Sequence, residues 1–167
     1  MRIRDWCPED LDALHRINEA STPGVGSVSP ERLAMLAGAA LVTLVAEAEG
    51  APVGFLICLG EGAGYTSPNY LWVSQRHERF AYVDRVGVDP AWRGRGVGGQ
   101  LYETLLARIS GLRDVLACEV NERPPNPGSL RFHRRLGFLP VGRQAFADDK
   151  AVVYLERPLG QDSSQPV

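Results

Sequence analysis

Residues 83–109 constrain the fold of this chain more than any other stretch. The segment opens with apolar residues on alternate positions, including Val86 and Val88, which indicates a β-strand. Asp89-Pro90 ends that strand, because proline fixes φ and has no N–H group for a sheet hydrogen bond. Apolar residues at helical spacing then follow: Leu101, Leu105, Leu106, Ile109 and Leu112. The glycine-rich run between the two patterns therefore lies where a strand leads into a helix.

This junction reads Arg93-Gly94-Arg95-Gly96-Val97-Gly98-Gly99. The first turn of a helix has backbone N–H groups without partners and the positive end of the helix dipole. Because glycines let a phosphate oxygen approach that backbone closely, the junction suits a diphosphate. A Walker loop is excluded, since Gln100 follows where that loop has lysine and then serine or threonine.

Two further interpretations of the glycines stay open on spacing alone. Gly94, Gly96 and Gly99 fit the Gly-x-Gly-x-x-Gly fingerprint of dinucleotide sites, with Asp114 and Glu119 downstream, but a single match of this kind is weak. The same glycines also suit a turn that only lets a strand and a helix pack closely.

A second block, residues 126–138, reads Asn-Pro-Gly-Ser-Leu-Arg-Phe-His-Arg-Arg-Leu-Gly-Phe. It resembles the C-terminal motif of the GNAT superfamily of N-acetyltransferases. The earlier Arg93-x-x-Gly96-x-Gly98, after Val-Gly-Val-Asp-Pro, resembles the acyl-CoA pyrophosphate loop of the same superfamily. The resemblance runs over nearly the whole chain and is most specific in residues 82–138.

The resemblance implies a single α/β (α+β) domain of GNAT type over residues 1–158. Its sheet is mixed and mostly antiparallel, with about seven strands flanked by about four helices, and it is split between the fourth and fifth strands. One domain also agrees with a length of 167 residues and an apolar content of 44%. We expect residues 159–167 to form a polar, disordered tail.

Short local patterns predict the other elements. Helices are predicted after Pro8, after Ser29-Pro30 and over residues 127–136, because proline suits the first helical turn and serine the N-cap. Alternating apolar residues predict strands at 2–6, 41–47, 52–59, 114–121, 139–144 and 151–157. Residues 60–79 show no regular pattern and are predicted to be an irregular stretch.

The irregular stretch is the candidate acceptor site. Long loops in compact domains are usually functional, and this one contains Tyr65, Tyr70 and Trp72. The same aromatic side chains also suit a flap that packs onto the core. Asp84 is a further candidate for substrate binding and the alternative general base. It stands with an arginine in an apolar strand, where a charge must be paired or face a cleft.

The resemblance also implies which residues hold acetyl-CoA. In this superfamily the strand before the loop bulges and parts from the next one, so the main chain of Val86, Gly87 and Val88 would face the pantetheine and thioester. Gly87 suits such a bulge. Asn126 resembles the pantetheine-binding asparagine of the superfamily and is equally a good N-cap. The remaining cofactor-binding candidates are Arg93, Gly94, Arg95, Gly96, Val97, Gly98, Gly99, Ser129, Phe132 and His133.

Acetyl transfer to an amine needs a base or a proton-removing water chain and N–H donors for the oxyanion, and the departing thiolate benefits from an acid. Glu119 is the first candidate base, because it interrupts an apolar strand, where burial raises a carboxyl pKa. Its Cys-Glu-Val-Asn setting also resembles the Leu-Glu-Val-Arg of ribosomal-protein N-terminal acetyltransferases. The alternative for Glu119 is an ion pair with a nearby arginine such as Arg85.

His133 is the candidate acid, since it stands where the superfamily often has tyrosine. Ser129 lies four residues earlier and shares its helix face. Histidine donates a proton near neutral pH, but contact with the CoA arm and a purely structural hydrogen-bonded role stay open.

We therefore expect transfer of acetyl from acetyl-CoA to a primary amine of a small molecule or peptide by direct attack. A non-catalytic acyl-CoA-binding module and a nucleotide-binding protein are the alternatives. The formal net charge of -2 favours neither nucleic acid nor an anionic membrane, and we expect a cytoplasmic protein without a membrane segment. Three widely spaced cysteines predict neither a metal site nor disulfides. The acceptor and the oligomeric state, a homodimer included, stay open.

Overall fold

Seven strands and five helices make up the computed structural model, which describes residues 1–160. The strands are β1 (Arg2–Asp5), β2 (Val42–Ala48), β3 (Ala51–Gly60), β4 (Phe80–Val88), β5 (Val115–Arg123), β6 (Leu139–Ala147) and β7 (Lys150–Pro158). The helices are α1 (Leu11–Glu19), α2 (Pro30–Ala39), α3 (Pro68–Arg76), α4 (Val97–Ile109) and α5 (Pro127–Arg135), with short 3-10 turns at Pro8–Asp10 and Pro90–Trp92.

The strands form one mixed sheet in the order β1-β2-β3-β4-β5-β7-β6. Every neighbouring pair is antiparallel except β4 and β5, which are parallel. That parallel pairing covers only three residue pairs, from Phe80–Val115 to Tyr82–Ala117, and ends there. The fold class is therefore confirmed, including the split between the fourth and fifth strands.

Helices cover both faces of the sheet. On one face α4 and α5 pack on an apolar cluster that includes Leu56, Val83 and Leu155. On the other face α1, α2 and α3 cover a second cluster built around Phe55 and Tyr82. Two layers of helices thus hold the arms of the sheet together where β4 and β5 do not pair.

Local turn chemistry explains most of the element boundaries. The β2–β3 hairpin turns at Glu49 and Gly50, which have φ of 53° and 76°, as a tight hairpin turn requires. Ser29 accepts a hydrogen bond from the N–H of Arg32 and caps α2, as its sequence position predicts. Gly137 ends α5 with φ of 89°.

The prediction for residues 60–79 was wrong, because this stretch contains α3, and the structure has five helices rather than about four. Pro68 stands at the first helical position, and Tyr70 and Val73 of α3 are buried three residues apart. The predicted tail is testable only at residues 159–160, since residues 161–167 lie outside the described part.

Candidate active site

The split in the sheet exposes one edge of β4. Val86, Gly87 and Val88 pair with β3, but the pairing with β5 has already ended at Tyr82. Backbone N–H and C=O groups that do not point at β3 are therefore directed into the opening. The side chains of Val86 and Val88 pack on the core below α4, so only the main chain is available to a ligand.

The sequence suggested a bulge at Gly87, but the bulge in β4 lies at Asp84. The register with β3 shifts between Ile57 and Cys58, where Asp84 is the extra residue. Gly87 has a different reason to lack a side chain. A Cβ atom there would lie 2.8 Å from Cε1 of Phe55, so glycine allows the close packing of β4 on this face.

The glycine-rich junction forms an open anion cradle at the start of α4. Gly94 and Gly96 adopt left-handed φ of 74° and 80°. Gly96 is the N-cap but has no side chain to cap with, and the first helical hydrogen bond runs from Gln100 N–H to Gly96 O. Cβ atoms added at Gly94, Gly96 or Gly99 would meet no atom within 4 Å. The N–H groups therefore face open space, which fits the diphosphate of acetyl-CoA.

The two arginines of the junction have different surroundings. Arg93 donates to Val88 O at 3.2 Å and to Ala20 O at 3.0 Å, so it ties the loop to β4 and to the end of α1. The guanidinium of Arg95 lies 4.9 Å from the ring centre of Trp92. Both arginines are exposed and add positive charge beside the cradle.

Val97 and Gly98 pack the first turn of α4 onto the protein beneath this cradle. Val97 is buried in the core, so only its main chain faces the cradle. At Gly98 a Cβ atom would lie 3.2 Å from Cζ of Phe132, and glycine therefore lets the two helices approach closely.

Asn126 caps α5, since its Oδ1 accepts the N–H of Ser129 at 3.3 Å. The cap does not use Nδ2, which stays available for a pantetheine carbonyl. The Gly24 backbone lies nearby, because a Cβ atom added there would be 3.4 Å from this Nδ2. In addition, Asn121 Nδ2 donates to Pro23 O at 2.8 Å. The connection between α1 and α2 thus reaches across the opening to the arm that contains β5.

His133 is directed into the protein and is 4% exposed. Its Nδ1 lies 2.8 Å from Ser129 O, and its Nε2 lies 2.8 Å from Tyr102 Oη. Burial lowers the pKa of His133, opposed by the bond to the Ser129 carbonyl. A neutral ring that donates from Nδ1 and accepts the Tyr102 hydroxyl at Nε2 satisfies both contacts. The geometry thus favours the structural interpretation of His133 over proton donation.

Glu119 lies two residues past Ala117, the last residue of β5 that pairs with β4. Asn69 Nδ2 donates to its Oε1 at 3.1 Å, and the Tyr82 hydroxyl donates to its Oε2 at 2.6 Å. Burial raises the pKa of Glu119 to about 8. The charge of Asp84 raises it as well, while the two hydrogen bonds lower it. A carboxyl group with this pKa beside the opening suits a general base.

Arg85 does not pair with Glu119, and the alternative role predicted for Glu119 is wrong. Its Nε instead forms an ion pair with Asp84 Oδ2 at 2.9 Å, and both side chains are buried. Its NH1 also donates to Asn18 Oδ1 at 3.0 Å and to Gly26 O at 3.2 Å. Asp84 is thereby neutralised and held, which makes it a weaker candidate base than Glu119.

The three aromatic residues of the candidate acceptor site pack against the protein in different ways. Tyr70 is buried and its hydroxyl donates to Gly60 O at 2.7 Å, so it packs the segment onto the core. Tyr65 is half-buried with its ring edge toward Tyr70. Trp72 stacks on Tyr154 of β7, with ring centres 3.9 Å apart.

Three residues of this site were missed: Asn69 and Tyr82, which donate to Glu119, and Tyr154, which contacts Asn69. Asn69 lies in the segment singled out as the acceptor site, but no local pattern connects it to β5. Tyr82 lies two residues before Asp84 in the same strand, and this spacing is only a weak indication that it belongs to the site.

Within residues 1–160, no group of three or more metal-ligating side chains is placed to hold a metal ion. None of the helices in that range combines the length and apolar content needed to cross a membrane.

Comparison with known proteins agrees with this geometry. A model of the acetyltransferase (GNAT) family matches residues 11–138. Over 113 residues the chain is 35% identical to N-alpha-acetyltransferase RimI of Mycobacterium tuberculosis, an alignment that covers 65% of this chain and 67% of that protein. Three further relatives are matched over between 30% and 38% of their own length.

Solved structures show the same fold. Ard1 from Thermoplasma volcanium superposes with a TM-score of 0.78 at 20% identity, covering 96% of this chain and 98% of that one. The yncA protein of Salmonella typhimurium, whose structure contains its cofactor acetyl-CoA, gives a TM-score of 0.73 at 20% identity over 99% and 98% of the two chains.

A split mixed sheet with an anion cradle at the start of α4 defines an acyl-CoA-dependent transferase. The family match makes the assignment specific, and the chain belongs to the acetyltransferase (GNAT) family. It is an N-acetyltransferase that uses acetyl-CoA.

Proposed function

We propose that this protein transfers acetyl directly from acetyl-CoA to a primary amine, with Glu119 as the general base. The observation that carries the proposal is the position of Glu119 at the split of the sheet, held by Asn69 and Tyr82. Primary amines are mostly protonated at neutral pH, so a base must accept a proton before the amine attacks. A pKa of about 8 keeps a fraction of Glu119 ionised at neutral pH and makes it an effective proton acceptor.

The protein's own groups would bind and orient the cofactor. The N–H groups at the start of α4 hold the diphosphate, with Arg93 and Arg95 beside it. The free edge of β4 and Nδ2 of Asn126 offer hydrogen bonds along the opening. When bound, acetyl-CoA supplies the activated acetyl group as a thioester. N–H groups on the free edge of β4 are the donors available to stabilise negative charge on the carbonyl oxygen.

The contacts of His133 support a positioning role in this site. Because Ser129 and Tyr102 occupy both ring nitrogens, His133 fixes α5 against α4 and so fixes the two helices that flank the opening. This role needs no proton transfer from His133.

The acceptor is proposed as a primary amine of a small molecule or a peptide. Its entrance would lie on the face of the sheet that presents Glu119, bordered by α3, Tyr65 and the connection between α1 and α2. The ionised fraction of Glu119 on this face favours a cationic group such as an ammonium ion.

Thermal unfolding with acetyl-CoA, CoA, NAD and ATP in parallel tests the cofactor, since a ligand bound only to the folded state raises stability. We expect stabilisation by acetyl-CoA and CoA alone. Release of CoA thiol with a panel of amines then tests turnover, with Glu119→Gln as the comparison. Binding without thiol release from any amine would instead favour a non-catalytic acyl-CoA-binding module. No stabilisation by either CoA compound at millimolar concentration would contradict the proposal.

A further inference from the structure

The side chain of Asn69 connects Glu119 to the opposite side of the acceptor face. Asn69 is the second residue of α3. Its Nδ2 donates to Glu119 Oε1 at 3.1 Å, and its Oδ1 lies 2.8 Å from the Tyr154 hydroxyl. Only Nδ2 can donate to the carboxylate, so the amide oxygen Oδ1 is turned toward the Tyr154 hydroxyl, from which it can accept. The orientation of one amide thus links α3, β5 and β7.

Tyr154 is itself held on both sides. Its ring stacks on Trp72 at an interplanar angle of 7°, three residues after Asn69 in the same helix. Its hydroxyl also lies 2.8 Å from Gln144 Oε1, and with one hydrogen it donates to one acceptor at a time. Trp72 lies so close to β6 that a Cβ atom at Gly142 would be 2.5 Å from its Cζ2. Glycine at 142 is therefore needed for this stack.

The far end of α3 is fixed by an ion pair from Arg76 and a hydrogen bond from His77. Arg76 Nε and His77 Nε2 lie 3.0 Å and 2.7 Å from Glu156 Oε1, and Glu156 is 9% exposed. The helix is thus fastened at Trp72 and again one turn later, which leaves Asn69 little freedom to turn away from Glu119.

We propose that Asn69 is a positioning residue for Glu119, held by Tyr154, and that α3 thereby fixes the orientation of the carboxylate and stabilises its charged form. This inference rests on the proposed role of Glu119 as the base. It gives α3, the helix within the segment 60–79, a specific part in the reaction.

The surroundings of Glu119 make the contribution of Asn69 measurable. No ion pair reaches Glu119 among the described residues, because Arg85 is engaged by Asp84. Two neutral donors, from Asn69 and Tyr82, therefore oppose the effects of burial. The titratable groups that face it are Tyr82 and Asp84 on β4 and Tyr154 on β7, while Cys118 on β5 and Tyr102 on α4 interact with its charge from the other face of the sheet.

The test is a carbon-13 NMR titration of the Glu119 carboxyl in the full chain, assigned with Glu119→Gln. The same variants are then compared in the pH profile of kcat/KM. Asn69→Ala removes the donor, so the midpoint should rise by about one pH unit. Tyr154→Phe keeps the ring stacked on Trp72 and frees the amide, so the midpoint should rise by a smaller amount.

Asn69→Asp separates positioning from packing. It has the same shape and still accepts the Tyr154 hydroxyl, but it replaces the donor with a second carboxylate. We expect a larger rise than in Asn69→Ala. Ser74→Ala is the matched control, because it removes another side-chain hydrogen bond of α3, to Leu71 O, without touching Glu119. Its midpoint should equal that of the wild type.

Unchanged midpoints in Asn69→Ala and Asn69→Asp would overturn the inference. So would a wild-type midpoint in Asn69→Asp beside a shifted one in Asn69→Ala, because only packing then matters. Full turnover in Glu119→Gln would refute the base and with it the positioning role. Loss of turnover in Glu119→Gln together with unmoved titrations would leave the proposed function standing and remove the role of Asn69.

Discussion

Replacing Glu119 with glutamine should stabilise the protein, and the gain should depend on pH. The structure raises the pKa of this carboxyl from an ordinary 4.5 to about 8. The folded protein therefore keeps the proton up to about pH 8, whereas the unfolded chain releases it above pH 4.5. Between these values the unfolded state binds fewer protons, so the free energy of unfolding falls as pH rises and levels off above pH 8.

The magnitude follows from the difference between the two pKa values. Each pH unit corresponds to 1.36 kcal/mol, so the wild type loses about 5 kcal/mol of stability between pH 4.5 and pH 9 through this group. Glutamine has almost the same shape and does not ionise. Its amide oxygen can accept from Asn69, and its NH₂ group can donate to the Tyr82 hydroxyl. The variant should therefore lack this fall.

Urea unfolding of both proteins at steps from pH 4.5 to pH 9 measures the difference. The advantage of Glu119→Gln should grow with pH and reach a plateau above pH 8. Glu122→Gln is the matched control, because Glu122 stands on the same strand but is 39% exposed and paired with Arg143. Its effect should not grow over this range. If the difference between Glu119→Gln and wild type is equal at pH 5 and pH 9, the carboxyl ionises normally and the argument for its raised pKa is refuted.

Three further substitutions test the elements around the opening. Gly96→Ala forces a side chain into a φ of 80°, which should cost about 1–2 kcal/mol and reduce the thermal shift with acetyl-CoA. His133→Phe leaves the Tyr102 hydroxyl without its acceptor and should cost about 1–3 kcal/mol in urea unfolding. Burial lowers the pKa of His133, so the free energy of unfolding of the wild type should fall as pH falls below about 6.5. The variant has no histidine at this position and should not show this pH-dependent loss. Gly142→Ala brings Cβ within 2.5 Å of Trp72 and should cost about 1–3 kcal/mol, measured by the same unfolding assay.

Most of the fold was predictable because local patterns determine it. The strand and helix on either side of the glycine junction follow from periodicity, and Gly96 and Gly137 stand at helix ends that need a left-handed φ. The segment with α3 was mistaken for a loop because a glycine-rich run precedes it and only Tyr70 and Val73 are buried. A helix with so few buried residues gives almost no periodic signal.

The site was less predictable because its contacts are distant in sequence. Glu119 was identified by its charge in an apolar strand, but Tyr82 and Asn69 lie 37 and 50 residues away from it. The bulge at Asp84 depends on the register with β3, and local sequence does not encode that register. The contact of His133 Nε2 is with Tyr102, a residue of another helix, and local sequence does not show it.

Because the pairing between β4 and β5 is short, the sheet consists of two halves that are joined along a narrow seam. Three residue pairs hold the seam, while packed helices and the contact of Asn121 with Pro23 brace the two halves from outside. A cofactor bound in the gap, as proposed above, would bond to both halves and take the place of a missing strand. Binding of the cofactor would therefore also complete the sheet, before the acetyl group is transferred.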